Sequence, residues 1–128
     1  MVDTIHKTID LKPERIAFYS YAHIPWLKPS QRGYDENDLP IPSIKRKLYE
    51  IGKELLLNAG YVEIGMDHFA LSSDELCRAM EDKKLHRNFM GYTAAHTNLM
   101  IGLGVSSISD SWNAFAQNVK TVKEYERS

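Results

Sequence analysis

Gly60-Tyr61-Val62-Glu63-Ile64-Gly65-Met66-Asp67-His68-Phe69-Ala70 is the stretch whose reading decides the fold. Its first half, Tyr61 to Gly65, is aromatic and β-branched and bounded by glycines, which predicts a buried strand. Before it, Ile44, Leu48, Ile51 and Leu55 recur at helical spacing between Ser43 and Gly60. That pattern predicts a helix capped by Ser43 and ended by the glycine. Further upstream, Arg15-Ile16-Ala17-Phe18-Tyr19-Ser20-Tyr21-Ala22 is dense in aromatic and aliphatic side chains and stops at His23-Ile24-Pro25-Trp26, so it reads as another buried strand. Strand, loop, helix and strand in that order predict an α/β fold with parallel strands and a helical crossover. On this reading Met66 to Ala70 lie at a strand's C-terminal end, where parallel sheets and barrels gather ligands.

The flanking segments are read the same way. Leu27 to Pro42 carries Pro29, Gly33, Pro40 and Pro42 among polar residues, a long loop of the kind that serves as a lid or substrate contact. Ser72 and Glu75 have capping-box spacing, which predicts a short helix over 73–84. His86 to Thr93 reads as irregular, and Asn98 to Val105 as a short strand running into Gly102-Leu103-Gly104. Phe115, Val119, Val122 and Tyr125 recur at helical spacing and predict a final amphipathic helix. Residues 1–14 are taken as a lead-in and 15–128 as a single domain.

Composition narrows the function classes. Sixteen basic and 17 acidic side chains nearly cancel, and neither sign forms a block, so the footprint of a nucleic-acid binder is missing. No apolar run approaches the roughly 20 residues that span a bilayer, and Met1-Val2-Asp3-Thr4-Ile5-His6 lacks the build of a signal peptide. The expectation is a cytoplasmic chain away from membranes. Cys77 stands alone, so it forms no internal disulfide and cannot by itself hold an iron-sulfur cluster or a Cys-rich zinc site.

Candidate chemistry lies near the presumed strand ends. His23 could donate to a substrate, move a proton or bind metal; the plain alternative is a histidine bonded to its own loop. Asp67 and His68 place an acid beside an imidazole, but neighbours on a strand point to opposite faces and do not make one ligand pair. A zinc site drawn from His23, Asp67, His68 and His86 lacks the spacings that make such sites specific, so no metal is assigned and a metal hydrolase using His23 and His68 ranks last. Lys28, Arg32 and Arg87 fall in loops, where a guanidinium can grip a carboxylate or simply stay solvated. Gly102-Leu103-Gly104 could offer backbone donors to a flat ligand or could be a tight turn, and Ser107 stands where a dinucleotide fingerprint needs its third glycine.

Taken in order, Tyr21-Ala22-His23-Ile24-Pro25, Gln31-Arg32, Asp38-Leu39-Pro40, Gly60-Tyr61 and Ile64-Gly65-Met66-Asp67-His68-Phe69-Ala70 resemble the oxygen-independent coproporphyrinogen III oxidases. The resemblance continues through Asp74-Glu75-Leu76, Leu85-His86-Arg87-Asn88-Phe89, Gly91-Tyr92-Thr93, Gly102-Leu103-Gly104-Val105-Ser106 and Ile108-Ser109. It implies the later part of a radical S-adenosylmethionine (β/α) barrel, with parallel strands and packing helices. It also implies oxidative decarboxylation of two propionates of coproporphyrinogen III to vinyls in haem synthesis, using S-adenosylmethionine and a 4Fe-4S cluster. Ala22 matches the family position that touches the cluster-bound S-adenosylmethionine, and Phe89, Met90 and Ile108 match positions lining a second one. Met90 replaces the family's glutamine, and Ala94 and Ala95 replace more polar residues. His23, Arg32, His68 and Arg87 become candidates for lining the site.

The family's Cys-x-x-x-Cys-x-x-Cys motif, its glycine-rich motif and its proton-donor tyrosine are absent from these residues, as is its accessory C-terminal domain. The chain by itself is therefore expected to be inactive. The edge left on the Ile16–Tyr21 strand is expected to drive self-association. The competing class is a non-enzymatic module that binds a tetrapyrrole or a partner protein.

Overall fold

The computed structural model describes residues 1–127, which fall into two compact units, Met1–Cys77 and a second from Arg78 on. The first unit contains α1 (Val2–Leu11), β1 (Arg15–Ala17), α2 (Pro42–Asn58), β2 (Tyr61–Gly65) and β3 (His68–Leu71), and α3 (Glu75–Glu81) begins within it. Its sheet has the order β1-β3-β2, with both pairs antiparallel.

This corrects the expected parallel pairing, and the deciding stretch explains why. Met66 and Asp67 have φ of 41° and 69°, and Gly65 pairs with His68 across them. Two consecutive residues at positive φ make the primed two-residue turn whose twist suits a hairpin. The chain therefore folds straight back, and Met66-Asp67 is a hairpin tip rather than the open end of a parallel strand. β1 and β2 do run in the same direction around α2, as a crossover requires, but β3 is inserted between them. The register shifts between Glu63 and Gly65, where Gly65 takes a φ of 137° that suits an irregular step in the ladder. β1 is also shorter than the expected 15–22 run. Ala17 pairs with His68, the first residue of β3, so the chain beyond has little ladder left to join, only Phe18 N donating to Asp67 O at 2.7 Å.

Leu56 and Phe69 are fully buried, with Ile5 and Tyr61 beside them and Ile9, Ile16, Phe18, Leu55 and Leu71 packed around. Each large side chain buried this way stabilises the unit by about 1.5–3 kcal/mol. Residues 1–14 contribute directly: Ile5 on α1 enters the core, and Tyr61 Oη donates to Pro13 O at 2.8 Å. α2 starts one residue before the expected cap, with Pro42 in its first turn and no side-chain cap, because proline's fixed φ already suits that position. Ser43 is thus inside the helix. A Cβ at Gly52 would fall on the Phe18 ring, which stacks on Tyr49 with centroids 5.4 Å apart. α3 is likewise capped by Asp74, whose Oδ1 accepts from Leu76 N at 2.7 Å, and not by Ser72. Arg15 ties β1 to this cap, bonding Asp74 at 2.9 Å and Glu75 at 2.8 Å.

The second unit is built from hairpins. β4 (His86–Asn88) pairs with β5 (Gly91–Thr93), so the segment expected to be irregular is ordered. β6 (Leu99–Met100), β7 (Ile108–Ser111) and β8 (Ala114–Gln117) form an antiparallel sheet, followed by the one-turn α4 (Val122–Tyr125). The helix expected from Asn113 is therefore replaced by strand over Ala114–Gln117 and is found only as the single turn Val122–Tyr125. Its spacing fits a helix, but pairing of Phe115 with Asp110 and of its neighbours along β7 overrides that local preference. Among the described residues no helix is long and apolar enough to cross a membrane.

Candidate functional site

In the first unit, candidate residues converge where the chain leaves β1. The segment Tyr21–Pro25 has no strand beside it and is held from the 27–45 region instead. Gln31 Nε2 donates to Ala22 O at 3.2 Å, and Ile24 N donates to Gln31 Oε1 at 2.7 Å. Arg32 Nε donates to Pro25 O at 3.0 Å, and Lys45 Nζ to Tyr21 O at 3.1 Å. The 27–42 loop, expected to be structureless, contains two 3-10 turns, Pro29–Gly33 and Glu36–Asp38, the second closed by Asp35 and Asp38 in a capping box.

His23 Nδ1 lies 3.2 Å from Tyr21 Oη, which is 2.5 Å from Tyr34 Oη. Desolvation, then the hydrogen bond with Tyr34, pushes the Tyr21 phenol up to about 12, so it stays protonated and able to donate at neutral pH. Beside this cluster lies an apolar cleft of about 210 Å³, lined by Phe18, Tyr21, Leu39, Leu48 and Tyr49 among others. Burial, then Asp67, raises the Tyr49 phenol as well. His68 is held locally, Nδ1 3.0 Å from Met66 O in its own turn. Among the described residues, no three His, Cys, Asp or Glu side chains gather where a metal ion could sit.

In the second unit Phe89 and Met90 form the tip of the β4–β5 hairpin, where Asn88 Oδ1 accepts from Met90 N at 2.9 Å. Their side chains are 62% and 83% exposed, so little of either is used in packing this unit. The Phe89 ring lies 6.3 Å from Phe115 on β8, which pairs with the strand carrying Ile108. Arg87 stands 5.7 Å over the Tyr92 ring and, with His86, His96, Asp110 and Trp112, lines an open cleft of about 450 Å³. His86 and His96 have ring centroids 4.5 Å apart.

The glycine loop is a strapped turn. Asn118 Nδ2 donates to Gly102 O at 3.1 Å and Gly104 O at 2.9 Å, while Gly102 N donates to Ser109 Oγ at 3.1 Å and Gly104 N to Tyr125 Oη at 3.1 Å. Both glycine amides are thus spent internally. Sequence reading passed over Tyr34 and His96, and quoted Gln31 only within the Gln31-Arg32 pair of the resemblance, without a role. Their partners lie across loops, and no periodicity marks a side chain that bonds backbone seven or nine positions away.

No protein-family model matches the chain. It is 44% identical over 123 residues to the oxygen-independent coproporphyrinogen III oxidase of Synechocystis, aligning 96% of this chain with 26% of that protein. It is 42% identical over 118 residues to the enzyme of the same name from Paracoccus denitrificans, aligning 92% of this chain and 26% of the relative. The solved coproporphyrinogen III oxidase of Escherichia coli, described as a radical SAM enzyme, superposes with a TM-score of 0.91 at 38% identity, covering 98% of this chain and 29% of that one. The chain is homologous to a segment of the oxygen-independent coproporphyrinogen III oxidases.

It spans about a quarter of the length of the curated oxidases it matches. The mixture of helices and antiparallel hairpins described above is accordingly the fold of the E. coli oxidase over the matched stretch. The residues present do not fit the iron-sulfur cluster that radical SAM chemistry requires. Such a cluster is held by cysteine thiolates, and the lone Cys77 is buried, its Sγ 3.3 Å from Leu71 O.

Proposed function

We propose that the chain forms the later part of the catalytic barrel of a cytoplasmic oxygen-independent coproporphyrinogen III oxidase. In that reaction each of two propionates loses CO₂, a proton and two electrons to become a vinyl group. The observation that supports this reading best is the 44% identity running through 96% of the chain, which spans both units.

S-adenosylmethionine, when bound, would supply hydrogen abstraction; this chain's contribution is binding and orientation. Ala22 is assigned to one S-adenosylmethionine, and Phe89, Met90 and Ile108 to a second. The exposed hairpin tip suits that second assignment, since Phe89 and Met90 offer an apolar surface for a ligand to cover. Met90 contributes no amide, so the contact there is apolar. Arg32, with Nε bonded to Pro25 O, keeps its terminal nitrogens for a carboxylate, and Arg87, His23 and His68 complete the set of site-lining candidates. Alone, the chain is inactive and associates with itself through apolar surface that longer relatives would cover.

The test is replacement of the matched stretch of the E. coli oxidase by this chain. Anaerobic conversion of coproporphyrinogen III to the divinyl product is expected from the hybrid. A folded, cluster-loaded hybrid that binds both substrates and makes no vinyl product refutes the reading. For the isolated chain, anaerobic treatment with iron and sulfide should leave it colourless, and a stoichiometric 4Fe-4S spectrum would contradict that.

A further inference from the structure

We infer that Gln31 is a positioning residue that takes the place of a missing strand beside Ala22-His23-Ile24. In a parallel ladder, one residue donates its N–H to the carbonyl preceding its neighbour and accepts from the N–H following it. The Gln31 side-chain amide makes that pair of bonds around His23, donating to Ala22 O at 3.2 Å and accepting from Ile24 N at 2.7 Å. A planar primary amide carries a donor and an acceptor side by side, so it can do for two backbone groups what a peptide unit does.

The need for such a device follows from the fold. β1 stops at Ala17 because β3 supplies no residue beyond His68, so the backbone at 22–24 must find its partners elsewhere. Arg32 Nε on Pro25 O and Lys45 Nζ on Tyr21 O fix the two ends. Gln31 fixes the middle, and with it the direction of the His23 side chain and the placing of the Ala22 peptide. The inference rests on the proposed contact of Ala22 with S-adenosylmethionine for its functional consequence, but not for the brace itself.

Two measurements separate these. In this chain, Gln31→Met should keep the fold and speed hydrogen exchange at the Ile24 amide about tenfold, the effect of losing one net hydrogen bond. Gln31→Glu retains an acceptor for Ile24 N but no donor for Ala22 O, and should leave that amide protected. In the hybrid oxidase, Gln31→Met should lower kcat/KM for S-adenosylmethionine about tenfold, chiefly through KM, with Gln31→Glu intermediate. Unchanged exchange at Ile24 in a folded Gln31→Met chain overturns the brace. Faster exchange with an unmoved KM in an active hybrid overturns the positioning role. An inactive unsubstituted hybrid counts against the proposed function alone, since the exchange result still decides the brace.

Discussion

The two units are stabilised by different means. Nearly all the buried apolar side chains belong to the first, where Ile5, Leu56, Tyr61 and Phe69 form a shared core from two helices and a hairpin. In the second, among the described residues only Ala79 is buried, while Phe89, Leu103, Trp112 and Phe115 are exposed. Its order comes from short ladders and from side chains such as Asn118, Ser109 and Gln117 that bond the glycine loop and its neighbours. The first unit therefore resembles a small domain, whereas the second resembles a thin wall with exposed apolar side chains. Hydrogen bonds of this type contribute only about 0.5–1.5 kcal/mol each, so such a wall is easily perturbed.

The largest test of this contrast is a pair of truncations. Phe69→Ala should destabilise the chain by about 3–5 kcal/mol in denaturant unfolding, because the fully enclosed ring leaves a cavity. Trp112→Ala, removing a side chain that is 76% exposed, should cost no more than about 0.5 kcal/mol. Comparable losses would show that the second unit also has an apolar core. Next in size is Gly102→Ala. A Cβ there would lie 2.6 Å from Ile108 O and 2.8 Å from Ile108 N, backbone atoms that cannot rotate away. A cost of about 1–3 kcal/mol is expected, with increased amide exchange confined to residues 99–119. Loss of protection in the α2 helix instead would break the comparison.

The sequence reading succeeded where local chemistry decided the structure and failed where a tertiary partner did. α2 was legible because its apolar stripe has helical period and Gly60 follows it. The hairpin was not. Gly65-Met66-Asp67-His68 carries none of the Asn-Gly chemistry that marks a primed turn, and the positive φ at Met66 and Asp67 is imposed by pairing of β3 between β1 and β2. The helix expected from Asn113 survives only in its last turn, Val122–Tyr125, for a related reason, since Ala114–Gln117 is recruited as a strand by β7. At the site, His23 was visible as a polar residue after a strand. Gln31, which bonds the peptide groups on either side of it, appeared only in the Gln31-Arg32 pair of the resemblance, because its role exists only once the loop has folded back.

A smaller effect concerns the exposed face. Chains in which Phe89, Leu103 and Phe115 remain uncovered should associate as concentration rises through the micromolar range, which sedimentation velocity would register. Phe115→Lys should shift the chain toward monomer while leaving thermal unfolding of the first unit nearly unchanged. If association persists unaltered and Ile16→Lys abolishes it, the open edge of β1 is the contact instead.

The smallest effect is a pH dependence inside the first unit, and it separates its core from its polar loop. Tyr21 is raised from 10.0 to about 12, by desolvation first and by the bond with Tyr34 second. The fold therefore favours the neutral phenol. Its contribution is fully present below pH 10, the unfolded value, and is lost as pH rises from there to about 12. The parent should accordingly lose stability relative to Tyr21→Phe across that alkaline window. Tyr34→Phe removes the second cause and leaves the first, so Tyr21 should then ionise earlier than in the parent but still above 10.0. Tyrosinate absorbance of the parent and the two variants, with thermal unfolding at matched pH, measures both. A stability gap that stays constant from neutral pH to 12 would show that the phenol is not held by the fold, and that Tyr21 only fills space beside His23.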